Sequence, residues 1–237
     1  MSRIILVALF SLFTTNAMAI QNVVEVDSQD CDGAVGTCTE NGHTSGGPGT
    51  MTLVFQTSDD STATDRDTGG CTMNGKAMTR VSDNEVIGGS VEADLFYTIN
   101  GPPGSVITCL WGGTITGGGM ITVTLNGVSL FSQPDVVAEN STTGNTVIQQ
   151  SLTTVKYNDI LIDFVSSANG SVTFTGDAGQ EEIMDTSPGG LSMASSIEYS
   201  SSPTSYTQGQ TSTISAAMAY KVIAIRPYVD GFMDMLE

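Results

Sequence analysis

Basic residues are scarce in this chain: seven Lys and Arg stand against 25 Asp and Glu, for a formal net charge of −18. So acidic a surface repels phosphate backbones and anionic lipid, which excludes nucleic-acid binding. Histidine and tryptophan occur once each, as His43 and Trp111. A Ser-His-Asp system needs a histidine held rigidly between nucleophile and carboxylate, and the G-x-S-x-G elbow is missing. His43 lies in the Gly/Ser-rich stretch Gly42-His43-Thr44-Ser45-Gly46-Gly47 and reads as a solvated loop residue. Trp111 closes an apolar strand and reads as core. A pair of carboxylates in glycosidase geometry is chemically feasible, but 25 acids supply many accidental pairs and one tryptophan offers little stacking surface. No catalytic residue is assigned. No apolar run reaches the ~20 residues of a membrane helix. No C-x-x-C occurs and His43 is the only histidine, which makes zinc a poor alternative to disulfides.

What the chain does have begins with a leader. Arg3, the apolar run Ile4–Phe13 and Ala17-Met18-Ala19 form the charge, core and cleavage-site order of a secretory signal peptide over residues 1–19. Position 20 is Ile rather than Cys, so no lipid-attachment signal is present. The mature chain is expected to start near Ile20, to have no transmembrane segment and to be secreted, extracellular or periplasmic. Cys31, Cys38, Cys71 and Cys109 then enter an oxidising compartment, where disulfides persist. Four cysteines allow three pairings. The favoured one joins Cys31 to Cys38 as a local loop and Cys71 to Cys109 as a bridge between strands.

From Thr50 onward, short β-rich runs alternate with turn signals: Met51–Gln56, Val91–Ile99, Ser105–Trp111, Met120–Phe131, Thr146–Val155, Ile160–Ser166 and Ser171–Thr175. In Val91–Ile99 and Ile121–Leu125 apolar residues alternate with polar ones, the pattern of a half-buried strand. Asn-Gly pairs start at Asn41, Asn74, Asn100, Asn126 and Asn169, and those at Asn126 and Asn169 read as tight hairpins. No helical stripe is sustained. The expected fold is all-β: one antiparallel β-sandwich domain, jelly-roll-like, over residues 50–227. Residues 20–49 form an N-terminal arm holding the Cys31/Cys38 loop, Ser200–Ser212 a polar loop, and residues 228–237 a tail. Uneven strand spacing argues against an outer-membrane barrel.

The stretch Ala93–Gly113 (ADLFYTINGPPGSVITCLWGG) resembles a group of secreted bacterial and phage-structural β-sandwich modules. There, an aromatic strand ends in an Asn/Pro/Gly turn and an alternating strand follows. Cys71–Val81 (CTMNGKAMTRV) is similar to a hairpin of the same modules, as are Tyr157–Val165, Asp177–Glu182 and Met218–Pro227 to their later strands. The resemblance spans about residues 50–227 and implies the sandwich fold; it carries no catalytic residues. Cys71 and Cys109 depart from it, in keeping with an oxidising exterior.

Two acidic groups are candidate calcium sites: Asp27, Asp30 and Asp32 before Gly33, and Asp59, Asp60, Asp65 and Asp67 before Gly69-Gly70. Hard oxygen ligands at short spacing suit calcium, although the EF-hand order is not met. Asp163, between Ile162 and Phe164, is expected to face solvent without a partner. Ile20, Val23, Val24 and Val26 are candidates to add a strand to a neighbour, and Phe232, Met233, Met235 and Leu236 to dock on one. The expected function is a secreted, non-catalytic structural or adhesive module that associates with itself, a cell surface or a particle. The alternative is a calcium-assisted, lectin-like polysaccharide binder using Tyr199 or Tyr206. A glycan-active hydrolase is third.

Overall fold

In Met51–Phe55, Val91–Ile99 and Ile121–Leu125 the odd-numbered side chains are apolar and most even-numbered ones are Thr, Asp or Glu. Successive side chains of a strand point to opposite sides of its sheet, so these strands pair into a sheet with one oily and one largely polar face. A computed structural model of the chain describes residues 23–31, 35–44, 46–59, 70–85, 91–129 and 133–228. Among these it contains fifteen strands: β1 Val23–Asp30, β2 Val35–Glu40, β3 Thr50–Asp59, β4 Gly70–Met73, β5 Lys76–Ala77, β6 Thr79–Glu85, β7 Val91–Ile99, β8 Ile107–Thr114, β9 Gly117–Asn126, β10 Val136–Thr153, β11 Ile160–Ser167, β12 Phe174–Gly176, β13 Glu181–Thr186, β14 Ser192–Tyr199 and β15 Ser205–Ile225.

They form three antiparallel sheets. A five-stranded sheet has the order β1-β9-β3-β7-β6, a six-stranded one β10-β15-β11-β14-β13 with β12 also on β15, and a four-stranded one β2-β8-β4-β5. The oily face of the five-stranded sheet packs on the six-stranded sheet through Leu53, Phe55, Leu95, Val123, Ile162, Phe164 and Ile223. Phe55 and Phe164 stack across this interface with ring centroids 5.3 Å apart. Truncating either ring to Ala removes about 3–5 kcal/mol.

The chain is thus an antiparallel all-β sandwich, as expected, but the other faces are covered too. The four-stranded sheet lies on the polar face of the five-stranded one, burying Val54, Phe96 and Met120 against Cys71, Ile107, Cys109 and Trp111. On the far side, the β10–β15 ribbon slips register between Thr142 and Val147. Its distal half folds back over the six-stranded sheet and seats Ile148, Leu152 and Phe174 on Leu161, Val165 and Tyr220. The stack therefore has four layers.

Both disulfides form in the favoured pairing, Cys31–Cys38 and Cys71–Cys109, the second tying β4 to β8. Such bonds belong to an oxidising compartment.

Several expectations are corrected. Val23–Glu40 is no arm outside the sandwich: β1 is an edge strand on β9, and β2 pairs with β8. Residues 205–212 of the expected polar loop are the first part of β15. Asn126-Gly127 leads out of β9 toward the other sheet, and Asn169-Gly170 joins β11 to β12, which pairs with β15 instead. The tight hairpin is at Asn74-Gly75, where both residues take the left-handed φ of a two-residue turn and Met73 pairs with Lys76. The chain finishes its strands in the five- and four-stranded sheets before starting the six-stranded one, so the pairing gives no support to a jelly-roll order.

Candidate functional site

The polar face of the five-stranded sheet holds the main cluster of functional groups. A bulge at Val24 pairs Val23 with Leu125 and Glu25 with Thr124, turning Val23 and Val26 toward the core and Glu25 and Asp27 to the polar face. There they join Thr122, Thr124 and Thr52. Glu40, the last residue of β2, reaches the same face from the layer above.

His43 enters because its glycine-rich segment is strapped down. Gly47 donates to Gly101 O at 2.6 Å, and Gly104 donates to Thr44 O at 3.1 Å. A Cβ on Gly46 would stand 2.7 Å from Pro102 O and 2.8 Å from Gly101 O, so only glycine permits this approach. His43 is 1 % exposed. The expected solvated loop histidine is instead a buried one, since the strap closes over it.

His43 Nδ1 lies 2.9 Å from Asp27 Oδ2, 3.6 Å from Glu25 Oε2 and 3.8 Å from Glu40 Oε1. Its Nε2 lies 2.7 Å from Thr124 Oγ1, which is 2.8 Å from Thr52 Oγ1. Thr44 donates its amide and hydroxyl to the Glu25 carboxylate, and Thr122 donates to Glu40 Oε2 at 2.7 Å. Glu40 Oε1 is buried and has no hydrogen-bond partner. Burial pushes the Glu40 carboxyl above the usual range, opposed by the Thr122 hydrogen bond and the His43 ring. Among the described residues, Glu25, Asp27 and His43 have donor atoms all within 4.8 Å of one another, a spacing at which side chains can share a metal ion.

Of the candidate calcium ligands, the structure brings Asp27 into this cluster. Asp30 and Asp59 are not part of it, and Asp59 ends the same strand whose other end holds Thr52. Asp32, Asp60, Asp65 and Asp67 lie outside the described residues, as do Ile20, Phe232, Met233, Met235 and Leu236. Val23 and Val26 pack against the main core and Val24 is exposed at the bulge, so β1 is spent on its own sheet. Sequence reasoning missed Glu25, Glu40 and His43. The i, i+2 spacing of Glu25 and Asp27 on a strand was the available signal.

A second polar cluster corrects the expectation for Asp163, which is fully buried beneath the folded-back ribbon. Its carboxylate accepts from Ser196 N (2.8 Å), Ser196 Oγ (2.7 Å), Gln180 Nε2 (2.7 Å), Tyr220 OH (2.9 Å) and Gln210 Nε2 (3.0 Å). Burial raises its pKa, and these hydrogen bonds oppose the rise. Tyr220 is held well above the usual phenol range by burial and by the Asp163 charge. Trp111 lies in the core, as expected. At one end of the six-stranded sheet Asp135 pairs with Arg226, and Asp159 beside it is raised to about 7 by burial and the Asp135 charge.

No family profile and no curated protein matches the chain in sequence. No helix among the described residues is long and apolar enough to cross a membrane.

Proposed function

We propose that this protein is a secreted, non-catalytic structural or adhesive module that assembles with copies of itself through an open sheet edge. The observation that supports this reading most is β10, an edge strand of 18 residues. No strand among the described residues pairs with its outer side. Proteins that stay apart blunt such edges with lysine, proline, inward charges or bulges; β10 is irregular between Thr142 and Val147 but keeps regular runs at Val136–Thr142 and Val147–Thr153. The sequence of β10 has no Lys or Pro, and its one charge, Glu139, is bound to the buried Lys221 at 3.0 Å. Two disulfides and four stacked layers suit a load-bearing subunit, and the resemblance to secreted and phage-structural modules points the same way.

The test places lysines on the edge at two exposed positions, as Ser141→Lys with Thr143→Lys. Sedimentation velocity is expected to give large species for the natural chain and monomer for the variant, with equal melting temperatures. A variant that assembles like the natural chain contradicts the reading.

A lectin-like role has one observation in its favour: Tyr157 and Tyr199 are 57 % and 46 % exposed at one end of the six-stranded sheet, flanking the Asn158–Ser200 contact. Tyr206 is less suited, because its hydroxyl is engaged by Ser201 N and Ser202 O. Retardation on a polysaccharide gel that Tyr157→Ala abolishes would favour this second reading.

A further inference from the structure

We propose that Glu25, Asp27, Glu40 and His43 form a binding site for one divalent transition cation of the zinc class, centred on His43 Nδ1. Three carboxylates converge on that nitrogen at 2.9, 3.6 and 3.8 Å. A tetrahedral zinc with ligand bonds of ~2.1 Å has donors about 3.4 Å apart; Glu25, Asp27 and His43 hold donor atoms within 4.8 Å of one another, so seating the ion opens the Asp27–His43 contact and draws Glu40 Oε1, 3.8 Å from Nδ1, toward the other two carboxylates.

The second observation is Glu40 Oε1. The Glu40 side chain is 5 % exposed, and this oxygen has no hydrogen-bond partner although it faces the cluster. A buried carboxylate oxygen left without a partner is costly. A cation among these donors satisfies it.

Glu25, Glu40 and His43 are each already oriented by a second contact, as metal ligands are. His43 Nε2 lies 2.7 Å from Thr124 Oγ1; with the ion bound, Nε2–H would donate there and leave the Nδ1 lone pair to the metal, in place of the hydrogen bond that Nδ1 shares with Asp27 Oδ2. Thr122 fixes the far oxygen of Glu40, and Thr44 fixes Glu25. Both hydroxyls of the threonine pair Thr52 and Thr124 sit behind the ring. The donor set also chooses the ion. Calcium takes oxygen ligands alone, whereas an imidazole with carboxylates suits zinc and its neighbours. The ligands come from β1, the end of β2 and the strap before β3, so the ion would clamp the edge strand and the strap to the sheet.

The test uses the mature chain with both disulfides oxidised, stripped with chelator and titrated with Zn²⁺ alone. One zinc per chain is expected, with a rise in Tm of about 5 °C at a hundredfold excess over Kd. X-ray absorption is expected to show one imidazole among oxygen ligands. Millimolar Ca²⁺ is expected neither to compete nor to raise Tm. Glu40→Gln keeps the side chain's shape and should weaken zinc binding at least tenfold while the metal-free Tm stays near that of the natural chain. Zinc bound only at background stoichiometry, calcium displacing it, or equal zinc affinity in Glu40→Gln would each overturn the proposal. Because the readouts are stoichiometry and affinity, they stand apart from whether the chain assembles.

Discussion

Gln210 delivers its side-chain amide to the Asp163 carboxylate at 3.0 and 3.2 Å, although the residue in register with Asp163 is Val222, further along the same strand as Gln210. Both contacts hold only because β15 doubles back across the outer face of its own sheet. Asp163 thus fastens the fourth layer to the third. Removing it orphans donors from Ser196, Gln180, Gln210 and Tyr220 together. Asp163→Ala is expected to cost on the order of 3 kcal/mol or more, and Gln210→Leu about 1–2 kcal/mol. Urea unfolding of the two variants checks both the size and the order.

The strap over His43 depends on one close approach. Gly46→Ala drives a Cβ into the carbonyls of Gly101 and Pro102, whereas a Cβ on Gly42 meets nothing within 4 Å. Gly46→Ala should therefore destabilise by about 1–3 kcal/mol and Gly42→Ala should be nearly neutral. Thermal melts of the pair separate a steric effect from a general cost of losing glycine.

Asp159 gives the fold a pH dependence of known sign. Its folded pKa is raised to about 7, from 3.8 for an unperturbed carboxyl. The stability it contributes is fully present below the unfolded value and is lost as pH rises through 7. The natural chain should lose more stability between about pH 5 and pH 8 than Asp159→Asn, which cannot titrate there. Denaturation midpoints across that range, compared between the two proteins, decide the point.

The two disulfides close loops of different length, with sequence separations of 7 and 38. On chain entropy the Cys31–Cys38 bond contributes roughly 2.5 kcal/mol and the Cys71–Cys109 bond roughly 4 kcal/mol. Replacing Cys71 and Cys109 together by Ser should thus lower the unfolding free energy about 1–1.5 kcal/mol more than replacing Cys31 and Cys38. Calorimetry on the two double variants measures the difference.

The sandwich was legible in sequence because strand alternation is a local signal, and the Cys31–Cys38 bond because its two residues are neighbours; Cys71–Cys109, 38 residues apart, was the pairing left over. Alternation in Leu53, Phe55, Leu95 and Val123 marks a core face whatever covers the other side. The covering layers were not legible. Thr122, Thr124, Asp94 and Asp163 look solvent-facing if only two layers are assumed, yet each is buried under a third or fourth layer. Composition misled twice more. Ser205–Ser212 is too polar to suggest a strand, although Gln208 reaches the half-buried Glu198 and Gln210 the buried Asp163. Glycine around His43 suggests mobility, although at Gly46 it permits contact. Asn-Gly pairs mark where the backbone turns but not which strands then pair, which explains the misplaced hairpins.

Copies that join through β10 form species whose mass rises with concentration. Light scattering of the chain with both disulfides oxidised, over a range of concentrations and with negative-stain images of the same samples, should show filaments or large oligomers that grow with concentration. A monomer of constant mass at every concentration would contradict the account.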